Sequence, residues 1–564
     1  NFGYTYKDEN KQPLGISHTS RRVFTNLNKH ARNVDKIRGL ILDDTDLKAR
    51  VVRSLITSQT QEDSNTKIPL TLMHWQTEHL HIDDKYWHLN TISNIENQIQ
   101  SIYFAGIKEP DPTDPSQVLE YLEKIESMLK QTEIEAKLID YKNGKTPVTL
   151  KNYYQETYCL QDTVTGELTA VRPWRKMPSP FVDACLKYFE KNHQDYIHNV
   201  LTELTPYARL VSYCRHHDLI QGEFGGYHAQ TKNHKTILFK GKTASDASWM
   251  KENITKFEDG IKDIKGKDQD GNLLWAIFFQ RGVLAAAKEL ISTHGLVETK
   301  HFICFMNKLI QRGVFTREVE ISKDDGSVWR FFAFNKTGAI RNGKSTTRDV
   351  KRLVMLWFYA SKYTSEVLSK DRTIKSEDYD KKVIEFLSTK KNNSSTGFSA
   401  CNTTYTKFRD EWPKQRHAQH LDKVWDTMSL NEQETLVNDR ISLIINYGVV
   451  DNLDVEYLIC HANQVIEHAM IRYGPELEGQ ITQLDELLKA ETLNVESVLE
   501  LSNEMENFFY EMEQTKPEPS TKTAPGSEST TEPESESIAK SEPMPELESE
   551  ANQADLSTDN SFDL

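Results

Sequence analysis

Gly338-Ala-Ile-Arg-Asn-Gly343-Lys344-Ser345 pairs two glycines with a following Lys and a hydroxyl residue, at the spacing of a phosphate-binding loop. Such a loop works because backbone N–H groups and a helix N-terminus cradle the phosphate while the Lys balances its charge. The pattern calls for a strand before it, which Trp329–Phe334 would supply, and a helix after it. Two features count against catalysis. Asn335-Lys336-Thr337 separates the expected strand from the first glycine. No apolar strand ending in Asp follows at a suitable distance, since Gly448-Val-Val-Asp451 is far off and Leu40-Ile-Leu-Asp43 comes before. A nucleotide- or nucleic-acid-processing enzyme using residues 338–345 stands as the alternative reading of the chain.

Three other short patterns could do chemistry. Lys323-Asp-Asp-Gly326 resembles the nucleophile motif of nucleotidyl-transferring ligases, with Lys323 as the matching lysine, but that family's later Lys and Glu signatures are not visible. An Asp-Gly hairpin turn accounts for the same residues. His79-Leu80-His81 followed by Tyr121-Leu-Glu-Lys124 resembles the metal-binding and tyrosine-nucleophile motifs of replication-initiator nucleases. Tyr121 falls on the apolar face of a helix, where a packed ring is the better account. Pro110-Asp111 with Glu135-Ala136-Lys137 mimics a nuclease motif, although Glu135 falls on a charged helix face. Cys214, His216, His217, Cys460 and His461 lack recognised ligand spacing. These patterns exclude one another, so no catalytic residue, metal or cofactor is assigned.

The charge pattern is more informative. Lys336, Arg341, Lys344, Arg348, Lys351 and Arg352 face one acid, Asp349, over 17 residues. Thr346 reads as the N-cap of the helix that follows, with Asp349 three positions on completing a capping box, and the helix dipole adds to the positive field. Two smaller basic groups lie elsewhere. Arg21, Arg22, Lys29 and Arg32 belong to a basic helix or arm over Arg21–Arg38, and Arg172, Arg175 and Lys176 surround Trp174. Phosphate or nucleic-acid backbone is one partner for these groups; the acidic tail, another acidic surface or solvent is the other.

The chain has 564 residues and a net charge of −15. Residues 511–564 carry 14 acidic and 3 basic side chains, so they hold −11 of that charge and leave −4 on residues 1–510. A nearly balanced body excludes a generic basic nucleic-acid binder, and binding must come from local patches. The tail is rich in Pro, Ser, Thr and Glu and is expected to be disordered, free to take a protein partner. Six cysteines without a CxxC pair argue for a reducing, intracellular setting. The longest apolar run, Leu353–Ala360, is far short of the roughly 20 residues of a membrane span. With Asn at position 1 the chain reads as a fragment or a processed product.

Periodicity then places the elements. The fold class is mainly α with a few β-hairpins (α+β): a multi-helix body and an acidic tail. Three regions are expected: 1–150, with the basic arm and helical segments; 151–510, the helix-rich main body; and 511–564, the tail. Ile68–Ile82 reads as strand-like. Asp114-Pro115 opens a helix, and hairpins are predicted near 160–172 and 316–335. Helices are predicted over Phe181–Leu201, Leu273–Ile291 (apolar all round and therefore buried), His301–Ile310, the segment after Thr346, Tyr379–Leu387, Leu436–Val450, Leu453–Arg472, Ile481–Leu488 and Val495–Tyr510. Lys390–Thr404 reads as a polar linker, and Gly474-Pro475 as a helix stop.

A helical body with local basic patches and an acidic tail resembles an RNA-virus coat protein or nucleoprotein. A local similarity to orthomyxovirus-type nucleoproteins runs through Phe334-Asn335, Gly338-Ala-Ile-Arg341, Thr346-Thr347, Val350, Leu353-Val354 and Ala360-Ser361. It covers a small part of the chain, and the near-neutral body departs from that family's basic character. The resemblance implies a non-enzymatic viral structural protein that self-associates as a homo-oligomer and packages or binds RNA, in the virion or host cytoplasm, without a membrane partner.

Overall fold

The computed structural model describes residues 46–57, 67–69, 72–74, 88–130, 149–171, 174, 177, 179–216, 226–230, 236–240, 255–256, 259–265, 272–316, 328–331, 333–334, 340, 343–368, 374–389, 401–416, 427–490 and 492–514. The described chain is mainly helical with a few short strands, as its periodicity predicts. Residues 1–505 form one compact unit and residues 506–564 a second.

The first described element is α1 (Leu47–Ser54), capped by the Asp46 carboxylate, which accepts from the Lys48 N–H at 2.8 Å. Strands β1 (Ile56–Thr57) and β2 (Ile68–Pro69) pair in parallel, as do β3 (Met73–His74) and β4 (Asn90–Thr91). The strand-like run expected from Ile68 to Ile82 is thus two brief pieces, with residues 75–82 outside the described residues. Helices α2 (Ile92–Ile102), α3 (Pro115–Lys130) and α4 (Leu150–Tyr158) follow. α3 starts where Asp114-Pro115 predicts: Asp114 Oδ1 accepts from the Ser116 N–H at 2.9 Å. Val118, Leu122, Ile125 and Leu129, at helical spacing, are all buried.

The first predicted hairpin is present. β5 (Cys159–Gln161) pairs antiparallel with β6 (Leu168–Ala170). Asp162 closes the turn by accepting from the Val164 and Thr165 N–H groups, and Gly166 takes φ 72°. A second hairpin, β7 (Gly226–Gln230) with β8 (Thr236–Lys240), has no counterpart among the elements expected from periodicity.

Between these hairpins lie α5 (Ser179–Phe189), a π-helical turn over Glu190–Gln194, α6 (Asp195–Thr202) and α7 (Thr205–His216). The apolar helix expected over Leu273–Ile291 is buried but not continuous. Asn272 caps a 3-10 turn over Leu273–Trp275, Ala276 is extended, and α8 runs only from Ile277 to Ala287 before a π-helical stretch to Thr293. α9 (Thr299–Gln311) comes next.

Most of the hairpin expected near 316–335 lies outside the described residues; within its second half, Val328–Phe331 forms a 3-10 turn. Trp329 explains the turn. Its indole N–H donates to the Val314 carbonyl at 2.6 Å, and its ring packs edge-on to Phe279 and Trp357.

The core is built round α10 (Lys344–Glu366), fourteen of whose residues are buried. Val350, Leu353, Val354, Leu356, Trp357, Tyr359 and Ala360 have no exposed surface. A helix apolar on all sides needs neighbours on all sides, and α10 packs on α8, α11 (Ser376–Ser388), α12 (Cys401–Arg416), α13 (Leu430–Tyr447) and α14 (Leu453–Lys489). Glycines set two of these approaches. A Cβ at Gly282 would lie 2.5 Å from Val350 Cβ, and one at Gly448 would lie 2.3 Å from Trp357 Cδ1.

Further along the chain, α12 begins at Cys401 and so takes over the end of the expected polar linker. α14 is two helical pieces joined at a kink: Tyr473 is non-helical (φ −135°, ψ 23°), so the first piece ends just before Gly474-Pro475, as expected, and the second resumes through Pro475. α15 (Val495–Gln514) continues four residues past the expected start of the tail; residues 515–564 lie outside the described residues.

Candidate functional site

The strongest positive field expected from the sequence lies at the start of α10. Lys344 is the first helical residue, and it is exposed. Gly343 is the N-cap, extended at φ −177°, and brings no side-chain acceptor to the first turn. The predicted capping box is therefore absent. Thr346 is fully buried and Asp349 is 3% exposed, both inside the helix. Their side chains are drawn into the packed interior, and the helix starts three residues earlier than a Thr346 cap implies.

Positions 344, 348 and 352 fall on one face of α10, one turn apart. That face meets α12. Arg352 holds Glu411 in a two-pronged grip, Nη1 to Oε2 at 2.9 Å and Nη2 to Oε1 at 3.1 Å. Arg348 Nη2 reaches the same Oε2 at 2.9 Å, and its Nε lies 3.5 Å from Asp349 Oδ1. The hydrogen bonds from Arg352 hold the Glu411 carboxyl below the usual range. Burial pushes Asp349 the other way, up to about 6, although Arg348 and Arg352 oppose it. On the neighbouring face, Lys351 Nζ meets Glu289 Oε1 at 2.6 Å, with His294 Nε2 3.6 Å from the other oxygen.

Three of the four described cations in this patch are thus engaged by carboxylates of the body. Lys344 remains exposed, with no ion pair among the described residues. Glu411 and Glu289 were invisible as partners in the sequence: they stand 59 and 62 residues from the cations they meet, and no local spacing links them.

The other expected contacts are placed unevenly. Lys336, Arg341, Arg21, Arg22, Lys29, Arg32, Arg172, Arg175 and Lys176 lie outside the described residues. Trp174, in the middle of the last group, is fixed. Its backbone N–H donates to the Pro112 carbonyl at 2.9 Å and its ring meets Tyr121 at 5.6 Å. That contact settles Tyr121 as a packed ring whose phenol is raised by burial, opposite to what a nucleophile requires.

Most of the remaining motif residues are not placed. Lys323, His79, His81, Glu135, Lys137 and His217 lie outside the described residues. Asp111 sits in an exposed turn, accepting from the Thr113 N–H and hydroxyl at 2.9 and 2.7 Å. Among the described residues, no group of three or more His, Cys, Asp or Glu side chains could hold a metal. Among the described residues no strand precedes the loop over 338–345: Val328–Phe331 is a 3-10 turn and Phe334 forms an isolated bridge to Ile340. No described helix is long and apolar enough to cross a membrane.

A cavity of about 670 Å³ lies apart from the basic helix start, lined by Asp195, Glu298, Glu366 and Asp454 with Lys362 and His301. Lys362 spans it, donating to the Leu296 carbonyl at 3.3 Å and meeting Glu366 at 3.4 Å.

Comparison of the chain with family models, with curated proteins and with solved structures finds no match.

Proposed function

We propose that this chain is a non-enzymatic, self-associating structural protein of the RNA-virus coat or nucleoprotein type, which holds RNA by its phosphates. The observation that carries this reading is the start of α10. Exposed Lys344 stands on the first turn of a 23-residue helix whose glycine N-cap offers no competing side-chain acceptor. First-turn N–H groups and the helix dipole favour an anion there. The chain enters that turn from the segment bearing Lys336 and Arg341.

The ion pairs made by Arg348, Lys351 and Arg352 limit the number of phosphates each copy can neutralise. Few phosphates held per copy suit a protein that gains avidity by assembling along or around its RNA. Exposed apolar side chains on the last three helices, including Leu430 (82%), Met470 (62%) and Leu499 (46%), offer copies of the chain a surface to meet on. The acidic segment 511–564 is left to a protein partner, and the setting is the virion or host cytoplasm.

The test is single-stranded RNA binding over a salt series, with light scattering and electron microscopy of the same protein. Lys344→Glu should weaken binding alike for all sequences and reduce the salt slope by about 0.7 for each phosphate that the protein no longer neutralises. Protein that stays monomeric and binds no RNA at any ionic strength would end this reading.

A further inference from the structure

Cys304 lies on α9 and Cys460 on α14, two helices that pack together. Cys304 is buried, and its thiol donates to the Glu456 carbonyl oxygen at 3.2 Å. In an α-helix the side chain at i+4 leans back over the turn of residue i. Cys460 follows Glu456 by four positions, so its side chain leans over the carbonyl that holds the Cys304 sulfur. That places the Cys460 side chain beside the Cys304 sulfur.

The pair is asymmetric in a useful way. Cys460 is half-buried and reachable from solvent, whereas Cys304 is 5% exposed. The neighbouring Cys304 thiol holds the Cys460 thiol below its ordinary value, although burial, Glu203 and Glu456 push it up. The presence of Cys460 and burial push Cys304 up. Lys308, paired with Glu456 at 2.8 Å, adds a cation beside the sulfurs. Cys185, Cys214 and Cys401 are buried, and burial raises their thiols. Cys159 is half-buried and serves as an internal control.

We propose that Cys304 and Cys460 form an oxidation site, where a hydroperoxide converts the two thiols to a disulfide that joins α9 to α14. The Cys460 thiolate attacks the distal peroxide oxygen, the O–O bond breaks, and the alcohol or water leaves with a proton. Cys460 is then a sulfenic acid. The Cys304 sulfur attacks the Cys460 sulfur, the S–O bond breaks, and hydroxide leaves as water with the Cys304 proton. Each sulfur gives up one electron and the peroxide takes two. Closing a loop of more than 150 residues constrains the unfolded chain, so the oxidised form is the more heat-stable one.

The experiment treats the full chain with equimolar hydrogen peroxide, alkylates the remaining thiols and maps the peptides by mass spectrometry. The expected product is a Cys304–Cys460 cross-linked peptide lacking two hydrogens, formed before Cys159 is consumed and reversed by dithiothreitol. Cys304→Ser should trap the Cys460 sulfenic acid, detected as a dimedone adduct. If Cys460 proceeds to sulfinic acid while Cys304 stays alkylatable, the site is overturned. Oxidation of Cys159 ahead of an intact thiol pair overturns it too. Both of these readouts come from the unsubstituted chain, so they hold even if the variant fails to fold.

Discussion

Arg352 and Glu411 are joined by two parallel hydrogen bonds of 2.9 and 3.1 Å, and Arg348 adds an ion pair to the same carboxylate. One acid on α12 therefore restrains two of the cations that make the start of α10 basic. Glu411→Gln should release both. RNA affinity is expected to rise and the salt slope to steepen by about 0.7 for each cation that reaches a phosphate. Because Glu411 is 38% exposed, the cost in stability should stay within ~1 kcal/mol. Filter binding at several salt concentrations, beside urea denaturation, measures both; an unchanged slope would count against phosphate binding by this face.

Gly282 marks where α8 touches α10. Gly282→Ala drives a Cβ to 2.5 Å from Val350 Cβ and 3.0 Å from the Thr347 carbonyl. Overpacking of this kind costs about 1–3 kcal/mol, and more where backbone must move. Gly479→Ala is the control, because nothing lies within 4 Å of its Cβ and it sits inside α14. There, alanine should stabilise by about 0.5–1 kcal/mol. Equal urea midpoints for the two variants would refute the close approach.

Asp349 gives the fold a pH dependence of definite sign. Its carboxyl is raised from 3.8 to about 6 by burial, so the folded state binds its proton more tightly than the unfolded state. From this residue, stability is greatest at low pH and declines as pH rises from about 4 through about 6. Asp349→Asn should flatten that part of the stability–pH curve. Thermal melts of both proteins between pH 4 and pH 7, about the range in which the group titrates, give the comparison. Parallel curves would mean that Asp349 titrates normally in the folded protein.

Trp357 ties α10 to α13 by donating its indole N–H to the Ile444 carbonyl at 2.9 Å. Trp357→Phe leaves that buried carbonyl without its donor and opens a small void beside Trp329. A loss of about 1–3 kcal/mol is expected from the orphaned acceptor alone. Guanidinium unfolding monitored by circular dichroism measures it, and a loss well under 1 kcal/mol would show that the carbonyl finds another donor.

The helices were legible because their signals are local. Asp114-Pro115 opens α3, the apolar positions of α10 repeat at helical spacing, and the Thr165-Gly166 turn closes β5 on β6. Errors occurred where a local signal met a tertiary demand. Thr346 with Asp349 has the spacing of a capping box, yet both side chains are buried inside the helix. Leu273–Ile291 reads as one apolar helix, yet Ala276 is extended and α8 begins after it. The short parallel pairs, two residues to a strand, carry too few residues to show a period.

By itself the sequence determined that the chain is mainly helical, that its densest cationic run leads into a helix with a long apolar stretch, and that most of the negative charge sits in residues 511–564. Composition and periodicity suffice for those statements, because they depend on neighbours a few residues apart. Only the tertiary structure decided which of the cations remain available. Arg348 and Arg352 are held by Glu411, Lys351 is held by Glu289, and Lys344 stands exposed at the helix start. Charge pairing depends on distance in space, and the partners come together only when α8, α10 and α12 pack.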